Sequence, residues 1–408
     1  MNLTDYLAWR GDVPLSVSPF NPVDNLLLSR LIWSKFNGIV AAVPPDAGAL
    51  SGDTGAQAAD APATSALLSP DARLSPDARL SPDAVSGGTR LGEATRRAGE
   101  AGDTDAVLRA TGQSERFGDA QCFFYADDTD VDEEKQFGAM TVYTSDRFVN
   151  VCFRGTDGTL VGWKEDFNLA FATPVPAQRA ALAYLNGIAA RLPGPIRVMG
   201  HSKGGNLAVY ASANAEEAVQ ARITGVYNDD GPGQDPKTLE EAGYKRIERK
   251  INTYIPQSSI IGMLLEHSDR YEIVRSDAVS IFQHDPMSWQ VAATDFVRAP
   301  GNTKSSMYLN DTLRLWLSSL TSDKRRLFAD TLFQVLAASN ARTFSELSTN
   351  WRTTAPAMLA AVARLDRDTG LKLLEIGGLF VKSALRAGAD AQEFVESPKS
   401  LESPAASV

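Results

Sequence analysis

The chain of 408 residues is poor in cysteine, poor in histidine and without a long uninterrupted apolar run. Its two cysteines, Cys122 and Cys152, both sit among apolar neighbours. That excludes a disulfide-stapled framework and points to buried free thiols in a reducing cytoplasm. The opening Met1-Asn2-Leu3-Thr4-Asp5-Tyr6 has neither a basic n-region nor an apolar h-region, so no secretory signal is expected. The most apolar late stretch, Leu371 to Leu385, is broken by Lys372, Glu375 and Lys382, and reads as an amphipathic helix rather than a membrane span. Positive charge is also in deficit. A net charge of -10 argues against nucleic acid as the main partner. It leaves a lipid-like substrate open, because an acyl pocket is apolar, while nothing indicates contact with a membrane surface. Oligomeric state is not legible.

What is present suits a large globular core, with 43% hydrophobic and 22% charged residues. Residues 44–113 are compositionally foreign, rich in Ala, Gly, Asp, Pro, Ser and Thr. A hexapeptide recurs there: Leu68-Ser69-Pro70-Asp71-Ala72-Arg73, then Leu74 to Arg79, then Leu80 to Ala84. A proline at every sixth residue blocks helix and central strand alike, so 44–113 is expected to be a disordered insertion. Before it, residues 1–43 carry a helical run, Asn25 to Trp33, with Asp24 placed as its cap.

After the insertion the pattern turns to strands. Phe137 to Tyr143 and Phe148 to Phe153 flank Thr144-Ser145-Asp146 as a hairpin. Ala177 to Leu192 reads as a helix, and Pro195 to Met199, Ile223 to Tyr227, Lys250 to Ile255 and Tyr271 to Val274 read as strands. Strands alternating with helices predict an α/β fold over 114–300, with a mostly parallel central sheet covered on both faces. From 301 to 395 the strands stop, and amphipathic helical patterns predict a helical C-terminal extension. Residues 396–408 are expected to be a loose tail.

The most informative short segment is Gly200-His201-Ser202-Lys203-Gly204, set between the strand Pro195 to Met199 and the helical run Asn206 to Ala213. This is a G-x-S-x-G turn in strand–turn–helix context, which exposes a strained serine above the carboxyl end of a sheet. The pentapeptide alone is weak; its context gives it weight. A nucleophilic serine needs a base, an acid to orient that base, and donors for an oxyanion. His201 lies inside the turn, where its ring is expected to point away. His267, at the end of an expected helix, is expected to cap carbonyls. His284, beyond the last strand, is the best-placed base. For the acid, Asp229 and Asp230 follow the strand ending at Tyr227. Tyr254-Ile255-Pro256-Gln257-Ser258-Ser259 carries no carboxylate, which shifts the weight to Asp230, with Asp269 and Asp285 in reserve. The oxyanion donors are expected to be the Lys203 N–H and Thr156, through its N–H and hydroxyl, from Phe153-Arg154-Gly155-Thr156-Asp157. The cluster Trp163-Lys164-Glu165-Asp166-Phe167 lacks a histidine at ligand spacing and reads as an anchor for that loop rather than a metal site. No cofactor is expected.

Together, Phe153 to Asp157, Gly200 to Asn206 and Gln283-His284-Asp285 resemble class 3 lipases of the α/β-hydrolase fold. The chain is more similar still to a bacterial family of Mbeg-like proteins, through Gln136-Phe137-Gly138-Ala139, Gly162 to Asn168 and Asp230-Gly231-Pro232-Gly233. The resemblance covers about residues 1–43 and 114–300, and more weakly the helical part. It implies Ser202 as nucleophile, His284 as base, and Thr156 with Lys203 as oxyanion donors. Two departures stand out. Ser258 and Ser259 replace the usual acid after the strand ending near Ile255, and Lys203 stands where leucine is usual, placing a charge near the pocket that weighs against a purely lipidic substrate; its ammonium is expected to pair with a nearby carboxylate rather than act as a base. The expected activity is cleavage of carboxylic esters, lipid esters included, by a serine hydrolase. A binding module on the same fold is the competing reading, favoured by the missing acid. A peptidase has no sequence feature of its own.

Overall fold

The computed structural model describes residues 1–42, 87–102, 105–169, 172–265, 267, 270–341, 343, 346 and 350–396, with 351, 353 and 389–396 as backbone only. Its centre is one eight-stranded sheet whose spatial order follows the chain. The strands are β1 Thr89–Arg90, β2 Gln121–Asp130, β3 Lys135–Tyr143, β4 Val149–Phe153, β5 Ile196–His201, β6 Ile223–Asp229, β7 Ile251–Pro256 and β8 Tyr271–Val274. β1 to β4 pair antiparallel, and β4 to β8 pair parallel. The chain is therefore mixed α/β, with a parallel half that carries the crossover helices.

The alternation of side chains along each strand splits the interior into two cores. Met140, Val142, Cys152 and Met199 face the N-terminal helices, against Leu26, Leu27, Leu28 and Leu31. Val149, Val151, Phe153 and Val198 face the other way, against the helices Pro176–Arg191 and Lys203–Asn214. Strands buried on both faces read in sequence as near-continuous apolar runs, and β4 and β5 follow that pattern apart from Asn150 and Arg197. Cys122 and Cys152 are buried and unbonded in β2 and β4, and burial pushes the Cys122 thiol up to about 12.

The expected disorder over 44–113 does not extend to its second part. Residues 44–86 lie outside the described residues, but 87–113 hold β1 and the helices Leu91–Glu100 and Ala106–Gln113. Leu91, Ala94, Thr95 and Ala98 are buried, a spacing that closes one helical face. Bulk composition hid this short amphipathic period because small residues dominate it. Asp24 also differs from expectation. The helix Pro22–Leu31 is capped by Asn21, and Asp24 closes the capping box from the third position.

The other duty of Asp24 is a buried ion pair. Arg116 Nε donates to its Oδ1 at 2.7 Å, and Nη2 to its Oδ2 at 2.5 Å. The remaining guanidinium donors reach the carbonyls of Val13, Ser18 and Pro19, while the Tyr6 hydroxyl donates to Asp24 at 2.9 Å. Both side chains are fully buried, so the desolvation cost of the charges is offset only because every donor is used.

Of the four main C-terminal helices, Lys304–Ser319, Ser322–Ala337, Trp351–Ala363 and Arg367–Glu396, the second packs on the helix Leu160–Leu169, and the first is tied at its start to the loop after β7, where the Ser306 hydroxyl donates to the Ser259 carbonyl. Trp316, Leu320 and Ile376 form a small cluster with Phe167 and Phe328, whose rings lie 5.6 Å apart. Among the described residues no helix is long and apolar enough to cross a membrane. The expected tail, 396–408, lies outside the described residues except for Glu396.

Removing Arg116 strands a buried carboxylate. Arg116→Leu should lower unfolding stability by about 3–5 kcal/mol, read from urea midpoints at constant slope. A loss below ~1 kcal/mol would place this pair with exposed salt bridges in its energetics.

Candidate active site

Every parallel strand from β4 to β8 ends on the same edge of the sheet, and each end delivers one element of a single site. β4 leads into Gly155 and Thr156, β5 into Ser202, β6 into Asp230, β7 into Ser258 and Ser259, and β8 into the loop of His284. Ligand sites of open α/β sheets lie beyond the carboxyl ends of the strands, where the backbone diverges.

Ser202 has φ 59° and ψ -135°. Such a backbone is costly for serine, on the order of 1–3 kcal/mol, and persists only when its surroundings enforce it. Here the Ser202 N–H donates to the Asp229 carbonyl and the Gly205 N–H to the Ser202 carbonyl, both at 2.9 Å. Two glycines make room. A Cβ on Gly200 would fall 2.3 Å from the Gly204 carbonyl carbon, and one on Gly204 would fall 2.2 Å from the Phe153 oxygen. Only glycine at both positions lets the helix Lys203–Asn214 start directly on β4 and β5.

The serine joins a continuous hydrogen-bond chain. Ser202 Oγ lies 2.9 Å from His284 Nε2, and His284 Nδ1 lies 2.7 Å from Asp230 Oδ2. With Nδ1 protonated, His284 donates to the carboxylate and leaves Nε2 free to accept the serine proton. Asp230 is fully buried, whereas the His284 side chain is 30% exposed, so the base end of the chain opens to solvent. Burial alone would lower the pKa of His284. The hydrogen bond to Asp230 and its charge outweigh that and hold it above the usual histidine value. An imidazole held by a buried carboxylate and touching a hydroxyl can generate a nucleophilic oxygen.

Asp229 and Asp230 take different sides of the sheet edge because successive side chains alternate. Asp229 accepts from Asn25 Nδ2 at 2.8 and 2.9 Å and from the Ser29 hydroxyl at 3.2 Å. It never reaches His284, and burial among neutral donors pushes its carboxyl up to about 8. The reserve Asp285 caps a short turn by accepting the Met287 N–H, and Asp269 lies outside the described residues. Ser259, which stands where an acid was missing, supports the acid instead: its hydroxyl donates to Asp230 Oδ1 at 2.5 Å.

The other histidines have structural partners. His267 Nε2 contacts the Gly262 carbonyl at 2.5 Å. His201 Nε2 donates to the backbone carbonyl of His284 at 2.8 Å, and the two rings stack with centroids 4.6 Å apart. Its ring therefore points at the loop of the base rather than away from the site. Burial and the neighbouring His284 charge push its pKa well below the ordinary value, so it stays neutral. Gln283 pins the same loop, accepting the Ser258 N–H and donating to the Ala278 carbonyl.

Gly155 packs against Ser202, with its ideal Cβ 3.0 Å from the serine Cβ, so the Thr156 loop reaches the serine. The Lys203 N–H opens the helix and has no intrahelical acceptor. The Thr156 hydroxyl is already engaged, donating to Asp166, which leaves the Thr156 N–H as the available part of that residue. Burial pushes Asp166 up to about 6, opposed by Lys203 and Thr156. The Lys203 ammonium does not face the site. It is fully buried and donates to the Gln136 carbonyl, Gln136 Oε1 and Glu165 Oε2 at 2.8, 2.9 and 2.9 Å. Glu165 also accepts the N–H groups of Gln136 and Ala177. The charge expected near the pocket is thus neutralised behind the turn. Among the described residues no cluster of histidine, cysteine and carboxylate could hold a metal ion.

Sequence reasoning missed Ser259, Asn25, Ser29 and the His201 contact. Their side chains act across more than a hundred residues or, for His201 and Ser259, through loops without periodicity, and no local signal marks them.

The Mbeg1-like family model matches residues 111–334, more than half of the chain, and the chain belongs to that family. No curated protein and no solved structure matches it.

Because Asp229 binds its proton more tightly folded than unfolded, stability is full below its unfolded pKa near 3.8 and falls as pH rises toward about 8. Asp229→Asn mimics the protonated acid. It should raise stability at pH 8 by on the order of a few kcal/mol over wild type, with the gain vanishing near pH 4. Parallel denaturation curves across that range would contradict the assignment.

Proposed function

We propose that this member of the Mbeg1-like family is a serine hydrolase of the class 3 lipase-like, α/β-hydrolase kind, cleaving carboxylic esters through an acyl-enzyme on Ser202. The observation that carries the reading is the unbroken chain Ser202 Oγ, His284 Nε2, His284 Nδ1, Asp230 Oδ2, at 2.9 and 2.7 Å, on a strained strand-to-helix turn.

In this reading His284 takes the Ser202 proton as Oγ attacks the ester carbonyl carbon. The C=O electron pair moves onto oxygen, which the N–H groups of Lys203 and Thr156 receive at the positive end of the helix Lys203–Asn214. Collapse breaks the C–O bond, and His284 returns the proton to the leaving alkoxide. Water, deprotonated by His284, then attacks the acyl-enzyme and restores the serine. Asp230 holds the imidazole tautomer and stabilises the imidazolium, and Ser259 holds Asp230.

The substrate side is supported by the loop before the base. Val279, Ile281 and Phe282, a few residues before His284 in the chain, are exposed, and exposed apolar groups close to the site in sequence suit an apolar acyl group. The burial of the Lys203 charge removes an obstacle to such a group. Lipase, esterase, thioesterase and acyltransferase share this chemistry, and the fold does not choose among them. The alternative, a non-catalytic binding module, rested on the missing acid after β7; the hydrogen bonds of Asp230 to His284 and Ser259 support the hydrolase reading over it.

A fluorophosphonate probe should label the folded wild type and fail on Ser202→Ala and His284→Ala. Unlabelled wild type would favour the binding module. Asp230→Asn should reduce ester turnover by about a hundredfold or more. Because His284 must be neutral to act and its pKa is held up by Asp230, the acid limb of kcat/KM should lie above pH 6.5. In Asp230→Asn that limb should move to lower pH; a limb that stays in place would separate Asp230 from the base.

A further inference from the structure

We infer that the outward face of the helix Arg367–Glu396 is the interface of an antiparallel homodimer. This does not rest on the hydrolase reading.

The inner face of this 30-residue helix is occupied. Ile376 is fully buried and its carbonyl accepts from Trp316 Nε1 at 3.1 Å, the Trp316 and Phe380 rings lie 5.4 Å apart, and Ser383 and Ala387 are buried. The opposite face is open. Leu371, Leu374, Val381 and Leu385 are 57, 74, 58 and 72% exposed. With Gly378 they stand at successive intervals of three and four, the heptad seam by which one helix packs on another. A Cβ on Gly377 or Gly378 would meet nothing, so no part of the described chain covers the seam there. Scattered surface leucines need no explanation, but a periodic line of them does.

The pattern selects a second copy of this chain as the occupant. An interfacial helix on a lipid surface shows a broad apolar face bordered by basic residues. This seam is narrow, and its border carries both signs, Asp368 and Glu375 with Lys372 and Lys382. Laid antiparallel on itself, the seam is self-complementary. Leu374 meets the partner's Leu385, and Gly378 meets the partner's Val381, letting the helices approach closely. Glu375 then lies beside the partner's Lys382, and the twofold axis repeats each contact. Glu375 already pairs with Lys324 of its own chain at 2.6 Å but remains 54% exposed, so its carboxylate is accessible to a second cation. The seam from Leu371 to Leu385 is about 22 Å long at ~1.5 Å per residue. An interface of that length is at the small end for specific association, which sets the expected Kd at roughly 1–100 μM.

Sedimentation velocity of the full chain should show a monomer–dimer equilibrium in that range, lost in Leu374→Glu. Glu375→Lys sets a lysine beside the partner's Lys382, and Lys382→Glu sets a glutamate beside the partner's Glu375, so each alone should weaken the dimer about tenfold. The double variant Glu375→Lys/Lys382→Glu restores both pairs and should return the affinity to within about threefold of wild type. Far-UV circular dichroism checks that each variant keeps its helices. A wild type that stays monomeric at several hundred μM overturns the inference, whether the seam is bare or covered by another part of the chain. A dimer indifferent to both single charge reversals, or not rescued by the double, places the interface elsewhere. Binding of the monomer to phosphatidylglycerol–phosphatidylcholine vesicles that Leu374→Glu abolishes makes the face a membrane contact and also overturns it.

Discussion

The backbone of Ser202 at φ 59° is the constraint around which the candidate site is built. The chain must leave β5 and enter the helix Lys203–Asn214 within one residue, and that geometry exists only because Gly200 and Gly204 let the helix touch β4. The local strain is held by hydrogen bonds from two directions, Ser202 to Asp229 and Gly205 to Ser202. Its result is a hydroxyl projected beyond the sheet edge, beside the first N–H of a helix. Everything else at the site is aimed at that fixed point: His284 by a loop, Asp230 by the end of β6, Thr156 by the end of β4.

Around the turn, three buried ionisable groups have separate partners. Lys203 is matched to Glu165 and Gln136 behind the turn, Asp230 to His284 and Ser259 in front of it, and Asp229 to the neutral Asn25 and Ser29 on the other side of the sheet. In a low-dielectric interior, unpaired charges would dominate the energetics, so this separation decides which carboxylate can act on the imidazole. The pairing of Lys203 with the helix Leu160–Leu169 also connects the turn to the C-terminal helices, because the same helix carries Phe167 into the Phe328 and Trp316 cluster.

Much of this was legible along the chain. β5, the glycine-flanked turn and the following helix are adjacent in sequence, so one local pattern contained them. The parallel strands were legible as apolar runs because both of their faces are covered. Residues 87–113 were not, since their helices are built from small residues whose period is masked by the surrounding Ala, Gly and Thr. β2 escaped for a related reason: its second half, Ala126 to Asp130, is only partly buried and mostly polar. His284 could be chosen because only three histidines competed, whereas Ser259 could be read only as a missing acid.

The sequence by itself determined the strained serine turn, the order of β3 to β8 with their crossover helices and the choice among three histidines, because each depends on local propensity, glycine sterics or scarcity. The tertiary structure decided what the sequence could only weigh by absence, that Asp230 rather than Asp229 meets His284, and it decided which carboxylate the Lys203 ammonium reaches and that His201 holds the His284 loop. Those outcomes depend on which side of a strand end a side chain leaves and on partners up to two hundred residues distant, and no periodicity along the chain encodes either.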